Sequence, residues 1–405
     1  MAVIILTIGA VIFLSHFLSL LFKKTNIPDV LLLMGLGLLL GPVLGWVDGS
    51  DFGKIGPIIA TIALVVILFE GGTSLQLSTM RSAIATTGAF ALACFLVTAL
   101  IVIACGMYFL QLALLPAAML GIILAGTSSA VVIPMVSSLR MGEKAGTVMV
   151  LESALTDVLC IVGVVALLHI HAEGNVEAGK LMGNVLSSLI FAAVIGILGG
   201  LGWLLILGKV RDFPNTLSST IAYAFIVYGL TEFLGFSGAI AAMTLGITLT
   251  NFGEMGLKRF KPFSQNVEAL TEFDRAFYRE AVFLLKTYFF VYLGVSMQFH
   301  GWTPVYVALG MMGLTFASRI FLTRTMLSGD DFSGRDKALA SMLAPKGLAA
   351  AVLAAVPLQY GVPGAAVIRD TTYMVVLVSI CICAALVMAY SLKPVRAMYS
   401  AMLGK

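Results

Sequence analysis

Charged side chains are rare in this sequence: of 405 residues, 11% are Asp, Glu, Lys or Arg and 60% are hydrophobic. Ordinary soluble domains carry roughly a quarter charged residues, so a water-soluble globule is excluded and a polytopic membrane protein is indicated. Histidine is scarcer still. His16, His169, His171 and His300 lie at or near the ends of apolar runs or in loops and form no catalytic pairing with a serine or aspartate, which leaves an intramembrane enzyme as the most distant class. The spacing of His169 and His171 suits a strand rather than a helical metal site. Cys94, Cys105, Cys160, Cys381 and Cys383 sit in apolar segments with neither metal-type spacing nor a secreted disulfide pattern, and read as small packing residues. The net charge of +4 comes from basic residues scattered as loop punctuation, which argues against nucleic acid as a partner. The N-terminal apolar stretch lacks a basic start and a small-residue cleavage site, and reads as a retained first span.

What fills the chain is hydrophobic runs. A spanning helix needs about 20 mostly apolar residues. Cutting at polar and Gly/Pro breaks predicts an all-α polytopic membrane protein of about thirteen spans, roughly residues 2–22, 27–46, 55–75, 82–109, 112–138, 144–171, 180–208, 215–232, 235–251, 279–299, 302–325, 336–358 and 369–392. One long polar connection, "GLKRFKPFSQNVEALTEFDRAFYRE", follows span nine. Its Phe263, Val267, Leu270, Phe273 and Phe277 spacing predicts an amphipathic helix on the membrane surface. No stretch remains for a soluble domain, C-terminal or otherwise. With the N-terminus outside, eighteen of the 24 Lys and Arg residues fall in inner loops or the C-terminus, and Lys54, Lys180 and Arg369 fall outside. That bias is the positive-inside pattern of a multi-pass cell-membrane protein with a cytoplasmic C-terminus.

Six ionisable residues remain at membrane depth: Glu70, Glu152, Asp157, Lys286, Arg319 and Lys346. A charge near the bilayer centre costs about 2.5 kcal/mol or more unless it is paired or faces water, so such a set points to an ion or proton path. Glu152 and Arg319 fall at similar depth from the inner ends of spans six and eleven, and can meet. Glu152 and Asp157 are five positions and about 140° apart on one helix, so both cannot face the same partner. Glu152 is therefore expected to pair with Arg319, leaving Asp157 as the titrating ligand. Lys286, near the inner end of span ten, is expected to snorkel to the interface or to take part in coupling. Span five, "LAGTSSAVVIP", and span twelve, "MLAPKGLAAAV", carry helix-breaking residues at similar depths, Thr127 and Lys346 among them. Interrupted helices in matching positions of two halves indicate inverted repeats with a midplane site. There, freed carbonyls can ligate a cation and Lys346 can neutralise helix ends.

The segments "LFEGGTSL", "GTSSAVVIP", "ESALTD", "FFVYLGVSM", "ASRIFLT" and "APKGLAAAVLA", in that order over nearly the whole chain, resemble a bacterial or archaeal cation/proton antiporter of the sodium/proton exchanger superfamily, electroneutral branch. The resemblance implies a homodimer in the lipid bilayer of the cell inner membrane, serving pH homeostasis. It further implies a core domain at about 82–171 and 302–392, containing the crossed, interrupted spans, and a dimerisation domain at about 1–75 and 180–299. It places the cation and proton ligand on Asp157, the motif's ion pair on Glu152 and Arg319, further ligands on Thr127 and Ser153 with Glu70 nearby, and site support on Thr156, Ser128 and Lys346. No cofactor is implied; the ligands are the transported Na⁺, Li⁺ or K⁺ and H⁺. Two departures stand out. Thr156 occupies the position where electroneutral relatives usually carry asparagine, and Lys346 that where many carry arginine, which leaves sodium and potassium both open.

A carboxylate in a partly dehydrated cavity is disfavoured in its charged form, so a proton and a hard cation compete for it. Ser153, Thr127 and unwound backbone supply the oxygens such a cation takes. Exchange follows if access changes only when the site is filled. A sodium-coupled organic-anion transporter can share interrupted crossed helices but does not require the Glu152 and Arg319 arrangement; a channel lacks support because no filter segment repeats.

Overall fold

Apolar periodicity and the placement of Gly and Pro account for where the helices begin and end in the computed structural model, which describes Leu6 and residues 9–18, 28–49, 55–173, 178–210, 216–255, 270–298, 301–328 and 332–403. Among the described residues from Asp29 to Leu403, fifteen α-helices are delimited: α1 Asp29–Leu38, α2 Ile55–Ser74, α3 Leu77–Phe109, α4 Leu114–Ala125, α5 Ser129–Ser138, α6 Glu143–Glu173, α7 Ala178–Val210, α8 Ser219–Phe233, α9 Gly238–Asn251, α10 Glu272–Val295, α11 Thr303–Met326, α12 Gly334–Met342, α13 Leu348–Gln359, α14 Ala365–Ala389 and α15 Lys393–Leu403. Among the described residues, six stretches are long and apolar enough to cross a membrane: Thr87–Phe109, Leu114–Ser138, Glu143–Ala172, Leu186–Leu207, Thr303–Met326 and Ala365–Ala389. Shorter apolar helices include Gly9–Leu18, Thr61–Ser74 and Leu348–Gln359. The protein is an all-helical, multi-pass membrane protein.

The chain divides into two compact units, one of Met1–Pro57, Ala83–His171 and Lys286–Lys405, the other of Ile58–Ser82 and Ala172–Leu285. Within the first, α14 packs against α1, α4, α11, α12 and α13. Both interrupted spans lie in this unit. The chain leaves helical geometry at Gly126–Ser128, between α4 and α5, and at Leu343–Gly347, between α12 and α13. At the latter, Pro345 lacks an N–H for the helical ladder. The polar end of α12 is fixed locally: Ser333 Oγ accepts from Asp336 N–H at 3.1 Å, while Asp336 Oδ1 accepts from Gly142 N–H at 3.0 Å and Arg335 Nη2 donates to Leu139 O at 2.7 Å. These bonds tie the turn between α5 and α6 to the start of α12.

In the same unit α1 crosses the end of α10 in backbone contact. A Cβ on Gly37 would overlap the carbonyl of Val291, and one on Gly294 would overlap that of Met34. Such close approach lets Lys286 Nζ reach Asp29 Oδ2 at 2.7 Å. This corrects the expectation that Lys286 reaches the interface: it is buried and ion-paired, because Asp29 at the start of α1 lies alongside it. The amphipathic α15 places Tyr399 and Leu403 inward and packs on α11 and α12.

The second unit is built around Phe69, Trp203, Leu245 and Tyr278, with Gly72 and Gly246 at the crossing of α2 and α9. Thr271 and Asp274 cap α10 through Thr271 N–H to Asp274 Oδ2 at 2.8 Å and Asp274 N–H to Thr271 Oγ1 at 3.1 Å. From Glu272 the helix continues for 24 residues to Val295. Phe273 and Phe277, expected on a separate surface helix, are therefore its first turns, since neither Gly nor Pro intervenes to end it and Phe277 packs on the core of this unit. Residues 256–269 of the predicted surface helix, Phe263 and Val267 among them, lie outside the described residues, as do the basic Lys23, Lys24, Lys54, Lys258, Arg259 and Lys261.

Candidate ion-binding site

Breaking two helices inside an apolar unit frees backbone groups that must find partners where no water is at hand. Each break satisfies the other. Ser128 N–H donates to Pro345 O at 2.8 Å, and Lys346 Nζ donates to Gly126 O, at the C-terminal end of α4, at 3.0 Å. Lys346 N–H goes to Ser379 Oγ of α14 at 2.9 Å, and Thr127 N–H to Thr156 Oγ1 of α6 at 3.1 Å. Thr156 in turn donates to Ser153 O at 3.2 Å, and its oxygen lies 3.4 Å from Thr127 Oγ1. Lys346 is 1% exposed, so its ammonium is held by this carbonyl and by the field of the site rather than by water. Gly347 is where the breaks come closest: any Cβ there would fall on the Ser128 side chain.

The next turn of α6 carries the carboxylates. Glu152, 0% exposed, receives both terminal nitrogens of Arg319, Nη1 at 2.6 Å and Nη2 at 2.5 Å. Arg319 Nε donates to Ala340 O at 2.9 Å, and its guanidinium lies 5.3 Å from the centroid of the Phe90 ring. A bidentate fork of this kind fixes orientation as well as charge. It joins α6, α11 and α12.

Asp157, five residues along, is 6% exposed and has a different neighbourhood. Ser129 Oγ, at the first residue of α5, donates to Asp157 Oδ2 at 2.6 Å, and the Ser129 backbone N–H donates to the same carboxylate. Lys346 acts on Asp157 through its field and is hydrogen-bonded elsewhere. Ser153 donates to Val150 O of its own helix at 2.9 Å, which leaves its oxygen lone pairs available. Thr127, Ser128, Ser153, Thr156, Asp157 and Lys346 thus lie in one unit, with Glu152 and Arg319 beside them. Glu70 belongs to the other unit, on α2, where the charges of Arg275 and Arg279 act on it and Arg275 donates to Thr73 O at 3.2 Å. Sequence reasoning missed Ser129 as a partner of Asp157. The signal was the unbroken hydroxyl run Thr127, Ser128, Ser129 at the break.

The family model described as sodium/hydrogen exchanger, transmembrane, matches residues 9–390. A K(+)/H(+) antiporter, NhaP2, of Shewanella sp. (strain ANA-3) is 26% identical over 383 residues, covering 90% of this chain and 62% of its own length, so the chain spans less than two thirds of that relative. Na(+)/H(+) antiporter 1 of Methanocaldococcus jannaschii is 25% identical over 379 residues, 86% of this chain and 81% of its own. The solved structure of the sodium proton antiporter MjNhaP1 from the same organism at pH 8 shares the fold, with a TM-score of 0.75 at 23% identity over 94% of this chain and 98% of that one. The chain belongs to the sodium/hydrogen exchanger family.

Proposed function

We propose that this protein is a monovalent cation/proton antiporter that exchanges one sodium ion for one proton, with Asp157 holding each in turn. The observation that carries the reading is the contrast between two buried carboxylates on one helix. Glu152 is neutralised by Arg319, whereas Asp157 is bonded to Ser129 and, among the described residues, forms no ion pair with a basic side chain. An uncompensated buried carboxylate is costly when bare, so it takes up a proton or a hard cation. Thr127 and Ser153 supply oxygen ligands of the type such a cation takes. Lys346 keeps the broken helices in register through Gly126 O, with Ser128 and Thr156 completing the crossing.

Stoichiometry follows from charge. Asp157 with a proton and Asp157 with a sodium ion carry the same net charge, so a single such site exchanges without moving net charge across the bilayer. We take sodium as the transported ion, with potassium as the alternative, since relatives of both kinds match at 25% and 26% identity. The protein acts as a homodimer with its N-terminus outside and its C-terminus in the cytoplasm, and access alternates between the two membrane faces.

Proton flux in proteoliposomes, with the membrane potential clamped at zero and sodium, lithium or potassium added in turn, tests this reading. Cation-driven proton movement that is insensitive to the clamp and lost in Asp157→Asn is the expected result, and the active ion identifies the substrate. Cation-independent behaviour throughout, or sodium flux coupled to an organic anion, would refute it.

A further inference from the structure

We infer that the Ser129 hydroxyl is a ligand of the transported cation and sets selectivity among alkali ions, an inference that rests on the assignment of Asp157 as the ion site. Three hydroxyls occur in succession where the first interrupted span breaks, and each has a different standing. Thr127 Oγ1 lies 3.4 Å from Thr156 Oγ1. Ser128 Oγ is buried against Gly347 with no hydrogen-bond partner. Ser129 Oγ donates a hydrogen bond to Asp157 Oδ2 at 2.6 Å, which commits its one hydrogen and leaves lone pairs for another guest.

Two oxygens sharing a proton at this separation are nearly spaced to share a cation. A hard cation of calcium's size sits about 2.4 Å from each oxygen ligand, and sodium is close to that size. Adjacent ligands on such a shell stand roughly 3 Å apart, so an opening of a few tenths of an ångström admits the ion. The Ser129 hydrogen then turns away from the carboxylate and stays on its own oxygen; no bond to hydrogen is broken. Ser129 is partly exposed while Asp157 beside it is buried. Ser129 is the first residue of α5, and its backbone N–H also faces Asp157, which places the hydroxyl at the site.

Selectivity separates this role from a structural one. Proton competition multiplies the apparent KM of every cation by the same factor, so the ratios among lithium, sodium and potassium cancel it. Loss of a hydroxyl ligand does not cancel, because the smallest ion has the highest dehydration cost to recover.

The test measures apparent KM for the three ions with the full-length chain in proteoliposomes, for the parent, Ser129→Ala, Ser129→Thr and Asp157→Asn. Ser129→Ala is expected to raise KM for sodium roughly tenfold, more for lithium and less for potassium. Ser129→Thr, which keeps the hydroxyl, restores the parental ratios. Equal factors for all three ions, an unchanged or lowered KM, or failure of threonine to restore the ratios would overturn the inference while an inactive Asp157→Asn leaves the site assignment standing. Exchange retained in Asp157→Asn overturns both. If Ser129→Ala is not recovered as a monodisperse protein, Ser129→Cys replaces the hard oxygen by a soft sulfur in a similar volume, and the same ratios decide.

Discussion

Removing one member of the Glu152 and Arg319 pair tests whether it is a strut or part of the ion path. Both side chains are buried, at 0% and 3% exposure, and joined by two charge-assisted hydrogen bonds. Breaking a buried pair by deleting one partner typically costs about 3–5 kcal/mol, because the other charge is left uncompensated. The two deletions are not equivalent here. In Glu152→Gln the guanidinium retains Ala340 O and the Phe90 ring, which places the loss near the lower end, about 3 kcal/mol. In Arg319→Met, Glu152 loses both guanidinium donors at once, which places the loss near the upper end, about 5 kcal/mol. Replacing both, as Glu152→Leu with Arg319→Met, removes the desolvation penalty along with the attraction and is expected to recover most of the stability. Equilibrium unfolding in mixed micelles gives the three differences, and a double-mutant cycle isolates the coupling. Sodium-driven proton flux of the same variants reconstituted in proteoliposomes completes the assay. If Glu152→Gln proves as stable as the parent yet transports nothing, the strut assignment fails and Glu152 belongs to the ion path.

Other changes probe the surrounding architecture. Gly347→Ala places a methyl group on the Ser128 side chain and is expected to abolish exchange, and adding Ser128→Gly relieves the overlap and restores part of the flux. Lys286→Met leaves Asp29 buried without its 2.7 Å partner, and a loss of about 3 kcal/mol, reduced by adding Asp29→Asn, is expected in the same unfolding assay. Thr156→Val removes the acceptor for Thr127 N–H at the break, for an expected cost of about 1–3 kcal/mol and a marked fall in flux; Thr156→Ser retains both. Equal stability of the valine and serine variants would show that the Thr127 amide finds another partner.

The parts of this protein that are legible in sequence are those whose signal is local or set by depth. Clustered Gly, Pro and polar residues at matching depth mark the breaks at Gly126–Ser128 and Leu343–Gly347, whereas a lone Pro134 or Pro357 stays inside its helix, so it is the clusters that can be placed by reading along the chain. Counting residues from the ends of spans also brings Glu152 and Arg319 to one level. Depth counting fails at the ends themselves. Asp29 sits beside Pro28 at the edge of its span, where a carboxylate reads as loop, and its partner Lys286 is 257 residues away. The backbone contact at Gly37 and Gly294 that brings them together leaves a signature of two glycines among 41. The charged start of α10 reads as a surface helix for a related reason. Charge density reports polarity, whereas continuation of the helix depends on the absence of a breaker after Glu272. Ser129 marks the boundary between the two kinds of information. Its hydroxyl is visible in the sequence, but whether it back-bonds to its own helix, as Ser153 does to Val150, or reaches Asp157 depends on how the break turns the first residue of α5 toward α6. The chemistry of this site therefore depends less on which polar residues the chain contains than on which of them the two breaks release from their own helices.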